Sequence, residues 1–302
     1  MKEPVLVEFP SNLGLTEPSP GKEPGVKYLP TWLKQHGLHH QISRLDPVRL
    51  EAPAYNAERD TATGYLNLTS IIQYARQQAE LIRQLIIGKK LPFIVGGDCS
   101  ILVGAAIALK QQGNYGLFYL DGHTDFMDIS LSSTGGVGGM AASIVAGHGN
   151  TALSNIMQLS PYIKEEYVWC VGNREYDEEY EQEIRRSAAT YIPLHLLREK
   201  GMKQCAEEFL LAVQSNGLDG FWLHIDVDVL NNDIMPCVDS PTAGGLLYEE
   251  FNELTGYLFS SDKMAGLEIT ILDPELDRDG VYSNMFVENI TKTFNAARGS
   301  NR

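Results

Sequence analysis

Leu117-Phe118-Tyr119-Leu120-Asp121-Gly122-His123-Thr124-Asp125 is an apolar run that stops on acids. The run reads as a strand. Alternate residues of extended chain point to one face, so Asp121, His123 and Asp125 can converge on one point beyond its carboxyl end. Two other stretches repeat the pattern. Phe221-Trp222-Leu223-His224-Ile225 leads into Asp226-Val227-Asp228, and Pro92-Phe93-Ile94-Val95 leads into Gly96-Gly97-Asp98-Cys99-Ser100. Four carboxylates and an imidazole brought together repel one another unless cations sit between them. The spacing therefore predicts a site for one or two divalent metals built from Asp121, His123, Asp125, Asp226 and Asp228.

Working outward, strands alternate with helical patterns. A short strand-like start at Val5-Leu6-Val7-Glu8-Phe9 runs into a Gly/Pro-rich loop through Pro30. Ile72, Ala75, Ala79, Ile82 and Ile86 recur at helical spacing, which predicts a helix from Ile71 to Ile87 with Gly88 as its stop. The strand 92–95, a helix from Ile101 to Leu109 and the strand 116–120 follow. Val168–Val171 and Tyr191–Leu194 read as strands separated by the acidic segment Glu175 to Glu183. A helix around 203–215, the strand 221–225, a helix Tyr248–Phe259, the strand 265–271 and a last helix near 284–297 complete the chain. Such alternation implies an α/β fold, a mostly parallel sheet sandwiched by helices in three layers. With no internal repeat or low-complexity linker, residues 1–302 are read as a single domain. Ligands of open parallel sheets bind beyond the carboxyl ends of the strands, where all three motifs lie.

The bulk numbers agree. A chain of 302 residues with 43% apolar and 21% charged residues is long enough for one large α/β domain. A formal net charge of −15 argues against nucleic acid or an anionic membrane surface as partner. Met1-Lys2-Glu3-Pro4 opens no apolar signal segment, and no stretch is apolar enough to cross a bilayer. Cys99, Cys170, Cys205 and Cys237 are widely spaced, which fits a reduced, cytoplasmic compartment.

Taken in order, these motifs resemble the arginase and agmatinase (ureohydrolase) family over nearly the whole chain. Pro10-Ser11-Asn12-Leu13-Gly14 and Pro24-Gly25-Val26 are similar to its opening loop, and Ser240-Pro241-Thr242-Ala243-Gly244-Gly245-Leu246 to a later glycine motif. Asp121, His123 and Asp125 match its Asp-Ala-His-x-Asp, with Gly122 in the alanine place. The resemblance implies hydrolysis of guanidino groups at a dinuclear Mn2+ site by a hydroxide shared between the ions. Asp121 and Asp226 would bridge the ions, His123 and Asp228 would complete one site, and Asp125 with Cys99 the other. It further implies substrate contacts from Ser240 and from the acidic pair Glu175 and Asp177, a small-molecule substrate, and a homo-oligomer, trimer or hexamer.

Three departures bear on activity. The family's Gly-Gly-Asp-His reads Gly96-Gly97-Asp98-Cys99 here, so a thiol replaces an imidazole. A thiolate binds metal but is softer and prefers zinc or iron; the alternative is a small buried cysteine beside a weak or empty metal position. Gly138 stands where the family carries a proton-shuttling histidine. His224, on one strand face with Asp226 and Asp228, is the candidate catalytic replacement, with orientation of a ligand as the alternative. His148 is a weaker candidate. Ile271 occupies the place of a glutamate that grips the guanidinium, with Glu268 and Asp273 nearby, and Met127 and Gly136 fall at places usually polar.

His39-His40 reads as surface, Cys237 as structural, and Trp32 and Trp169 as core or interface. The expected activity is metal-dependent hydrolysis of a linear C–N bond in an amidine, guanidine or related amide, unlike that of an ordinary arginase. The alternative is a ureohydrolase-like binding or regulatory protein with impaired catalysis. Metal-dependent deacylation is a third reading.

Overall fold

The computed structural model describes residues 1–175 and 177–299. Residue 176, inside the acidic segment, and residues 300–302, inside the expected domain span, lie outside the described residues. Eight strands form one sheet: β1 (Glu3–Glu8), β2 (Val48–Arg49), β3 (Lys90–Val95), β4 (Tyr115–Leu120), β5 (Val168–Val171), β6 (Thr190–Ile192), β7 (Gly220–Asp226) and β8 (Met264–Thr270). The spatial order is β2-β1-β3-β8-β7-β4-β5-β6. Every pairing is parallel.

The helices are α1 (Leu29–Gln35), α2 (Leu38–Ile42), α3 (Leu68–Ile87), α4 (Leu102–Lys110), α5 (Ala141–Val145), α6 (Thr151–Ser154), α7 (Glu178–Arg186), α8 (Leu194–Lys200), α9 (Met202–Ser215), α10 (Tyr248–Phe259) and α11 (Val281–Ala297). In one layer α3 packs on α4 and α6, and α4 on α5; in the other α9 packs on α8 and α10, and α11 on α10 and α2. The α/β/α sandwich is thus as expected.

Periodicity explains the layers. α3 buries Ile71, Tyr74, Ala75, Gln78, Ala79 and Ile82, one stripe at helical spacing. Across the sheet, Phe209 of α9 meets Phe118 at 5.0 Å, Phe221 at 5.1 Å and Trp169 at 5.4 Å, all edge to face. A buried aromatic of this kind is worth about 3–5 kcal/mol against alanine. Odd-numbered residues of β7 (Phe221, Leu223, Ile225) therefore belong to the apolar face, while Trp222, His224 and Asp226 point to the other.

Strand order places the motifs. From β3 the chain crosses two strand positions to reach β4, and β7 and β8 later fill the gap. The order reverses at this point, where open α/β sheets form their crevice. Leu120 pairs with Ile225 and Asp226 with Thr270, so the acids that follow β4 and β7 emerge side by side.

Some expectations need correcting. Strand β6 ends at Ile192, and Pro193 begins the turn into α8, since its ring removes the amide a further ladder bond needs. The loop through Pro30 already contains the start of α1, where proline is tolerated in the first turn. His39 is buried, not on the surface: its Nε2 lies 2.8 Å from Glu8 Oε1, and Arg49 holds the other Glu8 oxygen at 2.8 Å. His40 is exposed.

Candidate metal centre

Two rows of side chains stack on one face of the central strands. The lower row runs Tyr119, His224, Glu268 across β4, β7 and β8, because these residues are register neighbours. The Tyr119 and His224 rings stack at 4.2 Å and 6°, and His224 Nδ1 lies 2.7 Å from Glu268 Oε1. Two residues further along each strand comes the upper row, Asp121, Asp226 and Thr270. Cys99 joins it from the turn after β3, its thiol donating to Asp226 Oδ2 at 3.0 Å and lying 3.4 Å from Thr270 Oγ1.

Backbone turns aim the acids. The His123 amide donates to Asp121 Oδ1 at 2.5 Å, and the Asp228 amide to Asp226 Oδ1 at 2.8 Å. Gly122 N donates to Asp228 Oδ1 at 2.9 Å, tying the two motifs together. His123 Nδ1 sits 2.8 Å from Asp228 Oδ2. Ligand atoms of Asp121, His123 and Asp228 lie within 4.8 Å of one another, as do those of Cys99, Asp121, His224 and Asp226. Asp121 is common to both groups. Its Oδ2 is buried without a hydrogen-bond partner, and an orphaned buried carboxylate oxygen is costly unless a cation meets it.

Electrostatics point the same way. Burial and then the charges of Asp125, Asp228 and Asp226 push the Asp121 carboxyl well above its usual range, and burial with Asp228 does the same to Asp226. Burial lifts Asp125 to about 7. His123 rises to about 9 because the Asp228 charge and hydrogen bond outweigh burial, and Asp228 is held low by His123 in return. A divalent cation reverses this balance, favouring every carboxylate in its ionised form. Buried oxygen, nitrogen and sulfur donors in two overlapping groups fit a metal centre.

A cavity of about 120 Å³ opens on the site, lined among others by Cys99, His123, Asp125, Glu175, Asp226, Asp228, Ser240 and Ile271. Asp125 reaches the cavity wall, but it belongs to neither donor group among the described residues. Its backbone turns left-handed (φ 46°) and its carboxylate accepts the Tyr119 hydroxyl at 2.5 Å. Glu175 accepts from Thr124 at 3.4 Å, while Asp177 caps α7 through the Glu179 amide and does not line the cavity. His224 is wholly enclosed and does not line it either. His148 pairs with Glu165 at 2.5 Å and also stays clear of the cavity. Glu268 is committed to His224. Asp273 turns away to accept from Gly25 N at 3.1 Å and Glu275 N at 2.8 Å.

Several organising residues escaped the sequence reading. Arg174 follows β5, a fourth strand end, and its Nη2 donates to the carbonyls of Asp228 (2.7 Å) and Thr242 (2.7 Å). It explains Gly122, since a Cβ there would lie 2.5 Å from Arg174 Nη1 and 2.8 Å from Asp228 Oδ1. Asn173 donates to the Asp121 carbonyl at 2.9 Å. Gly138 offers little room for a larger side chain, because a Cβ would come within 3.1 Å of Leu15 and 3.2 Å of the Gly14 carbonyl. Ile271 sits at φ 78°, a strained conformation for a β-branched residue, held by its amide donating to Gly97 O at 2.8 Å.

A three-layer sandwich with clustered donors at the reversal of its parallel sheet is the architecture of the ureohydrolases. The arginase family model matches residues 4–295, and the chain belongs to the arginase family. It is 30% identical over 223 residues to the arginase of Bacillus subtilis (strain 168), covering 74% of this chain and 75% of that one. To the arginase of Bacillus caldovelox it is 28% identical over 282 residues, covering 92% and 93%. The native Bacillus caldovelox arginase structure matches with a TM-score of 0.86 at 26% identity, covering 97% of this chain and 98% of that one. No helix among the described residues is long and apolar enough to cross a membrane.

Proposed function

We propose that the protein hydrolyses a linear C–N bond of an amidine- or guanidine-type small molecule at a pair of divalent ions, with Mn2+ the metal suited to the carboxylate-rich half of the site. One observation carries this reading above the others: the orphaned Asp121 Oδ2, buried among Asp125, Asp226 and Asp228. Asp121 and Asp226 would lie between the ions, with His123 and Asp228 on one side and Cys99 and Asp125 on the other. When bound, the ions supply Lewis acidity and water of lowered pKa.

The chain's own residues set the rest. The cavity beside the donors, about 120 Å³, is of a size for one small planar group. Glu175 and Ser240 at its wall offer acceptors to a substrate amino group; Asp177, turned toward α7, would need the segment before that helix to move. Ile271 presents an apolar wall where a guanidinium would need an anion. Losing the carboxylate opposite a guanidinium costs several kcal/mol of recognition. The remaining acids of the cavity, Glu175 and Asp239 among them, stand at other positions of its wall, so ordinary arginase activity is not expected. The family resemblance supports a homo-oligomer.

Metal-dependent release of urea or ammonia from guanidino and formimino compounds tests the reading, with Asp228→Ala as the inactive control. A second reading is favoured by Gly138 and Ile271, which offer neither a proton carrier nor a cation grip. In it, the chain binds metal and ligand without turnover. Metal-loaded protein that releases nothing from the whole panel, acylated polyamines included, supports that alternative.

A further inference from the structure

We infer that His224 supplies an imidazole to the ion beside Cys99, making a four-donor Cys99–His224–Asp121–Asp226 site that prefers a zinc-type cation, next to a harder Asp121–His123–Asp228 site. This rests on the metal-centre reading and goes beyond it by putting His224 in the ligand place given there to Asp125, which belongs to neither donor group among the described residues. It also replaces the expected role of His224 as a proton carrier.

The geometry commits the imidazole. His224 Nδ1 is taken by Glu268 Oε1 at 2.7 Å, which leaves Nε2 as the nitrogen facing the donors. Nε2 lies 3.4 Å from Thr270 Oγ1, which is itself 3.4 Å from Cys99 Sγ. A carboxylate that fixes one ring nitrogen while the other meets a metal is the usual way a protein orients a histidine ligand. Stacking on Tyr119 at 4.2 Å fixes the ring plane. A proton carrier needs contact with substrate and solvent, and His224 reaches neither, being wholly buried and absent from the cavity wall.

Asp121, whose Oδ2 is orphaned, belongs to this donor group with Cys99, His224 and Asp226. The imidazole missing from the turn after β3 is in effect restored from β7, two strands away. One sulfur, one nitrogen and two carboxylate donors make a four-donor, borderline-soft set, whereas the other group is oxygen-rich. Asp125 is then free to hold the Tyr119 hydroxyl. To serve as a donor the Cys99 thiol would give up its proton to solvent, leaving a sulfur lone pair for the metal.

The test uses the full chain, stripped with chelator, given excess Mn2+ with one equivalent of Zn2+ per chain and then dialysed against Mn2+ alone, followed by metal analysis. Wild type is expected to hold one zinc and one manganese per chain. Cys99→Ser and His224→Asn should each lose the zinc and keep the manganese, the retained ion reporting an intact fold. Glu268→Gln, a change at a positioning residue, should weaken zinc binding about 10–100-fold. Cobalt-loaded wild type should show a thiolate charge-transfer band that Cys99→Ser and His224→Asn both abolish. Unchanged zinc content and cobalt spectrum in His224→Asn overturn the inference. Two manganese ions in every variant also overturn it while leaving the hydrolase reading intact; no ion in any variant overturns both.

Discussion

Replacing Asp121 with asparagine should move stability in opposite directions with and without metal. The side chain is 1% exposed, its Oδ1 accepts the His123 amide at 2.5 Å, and its Oδ2 has no partner. Asparagine keeps the first bond and puts a donor in place of the orphaned oxygen, in the field of Asp125, Asp228 and Asp226. Removing an unpaired buried acceptor is worth about 1–3 kcal/mol, which for a chain of this size raises Tm by about 2–6 °C in chelator. With divalent metal at about 1,000 times its Kd, wild type gains about 4.1 kcal/mol by linkage. The variant, lacking the oxygen shared by both donor groups, gains little. Thermal denaturation in EDTA and in Mn2+ therefore gives crossed rankings, the variant higher in one and wild type higher in the other. Equal destabilisation in both conditions would refute the reasoning, because Asp121 would then be structural only.

Other changes test separate parts of the site. Gly122→Ala should cost about 1–3 kcal/mol by overpacking, since the added methyl meets Arg174 Nη1 and Asp228 Oδ1; denaturant titration measures it. Ile271→Glu should raise kcat/KM for guanidinium substrates about 10–100-fold, the worth of one charge-assisted hydrogen bond, and no change in metal-loaded protein would argue that guanidinium binds elsewhere. Glu8 gives a pH test far from the metal. Burial raises its carboxyl, but the His39 and Arg49 hydrogen bonds outweigh this and hold it near 2 against an ordinary 4.5. A depressed carboxyl stabilises the fold above its unfolded value and loses that contribution as pH falls. The stability gap between wild type and Glu8→Gln should be about 3 kcal/mol at pH 6 and shrink between about pH 4.5 and 2.

The strand ends were legible because each apolar run stops on its acids; alternation itself runs out there, since β4 and β7 end at Leu120 and Asp226, Asp228 follows in a 3-10 turn, and Asp125 turns left-handed. The lower row was not. Glu268 meets His224 only because β8 inserts beside β7 in register, and no local pattern dictates which strands become neighbours. Asp273 lies near Ile271 in sequence, yet the chain turns after Thr270 and carries Asp273 away to cap a turn. His39 misled for a related reason, as its partners Glu8 and Arg49 come from two separate strands. Gly138 and Ile271 were visible as departures, while the packing of Leu15 and the strained backbone behind them required coordinates.

Anomalous diffraction from a crystal grown with Mn2+ tests most directly whether these strand ends gather around cations. Two peaks flanking the Asp121 carboxylate, one toward His123 and Asp228 and one toward Cys99 and Asp226, are the predicted result. A featureless map at Asp121, with its Oδ2 still unpaired or met by a lysine or arginine, would contradict the account.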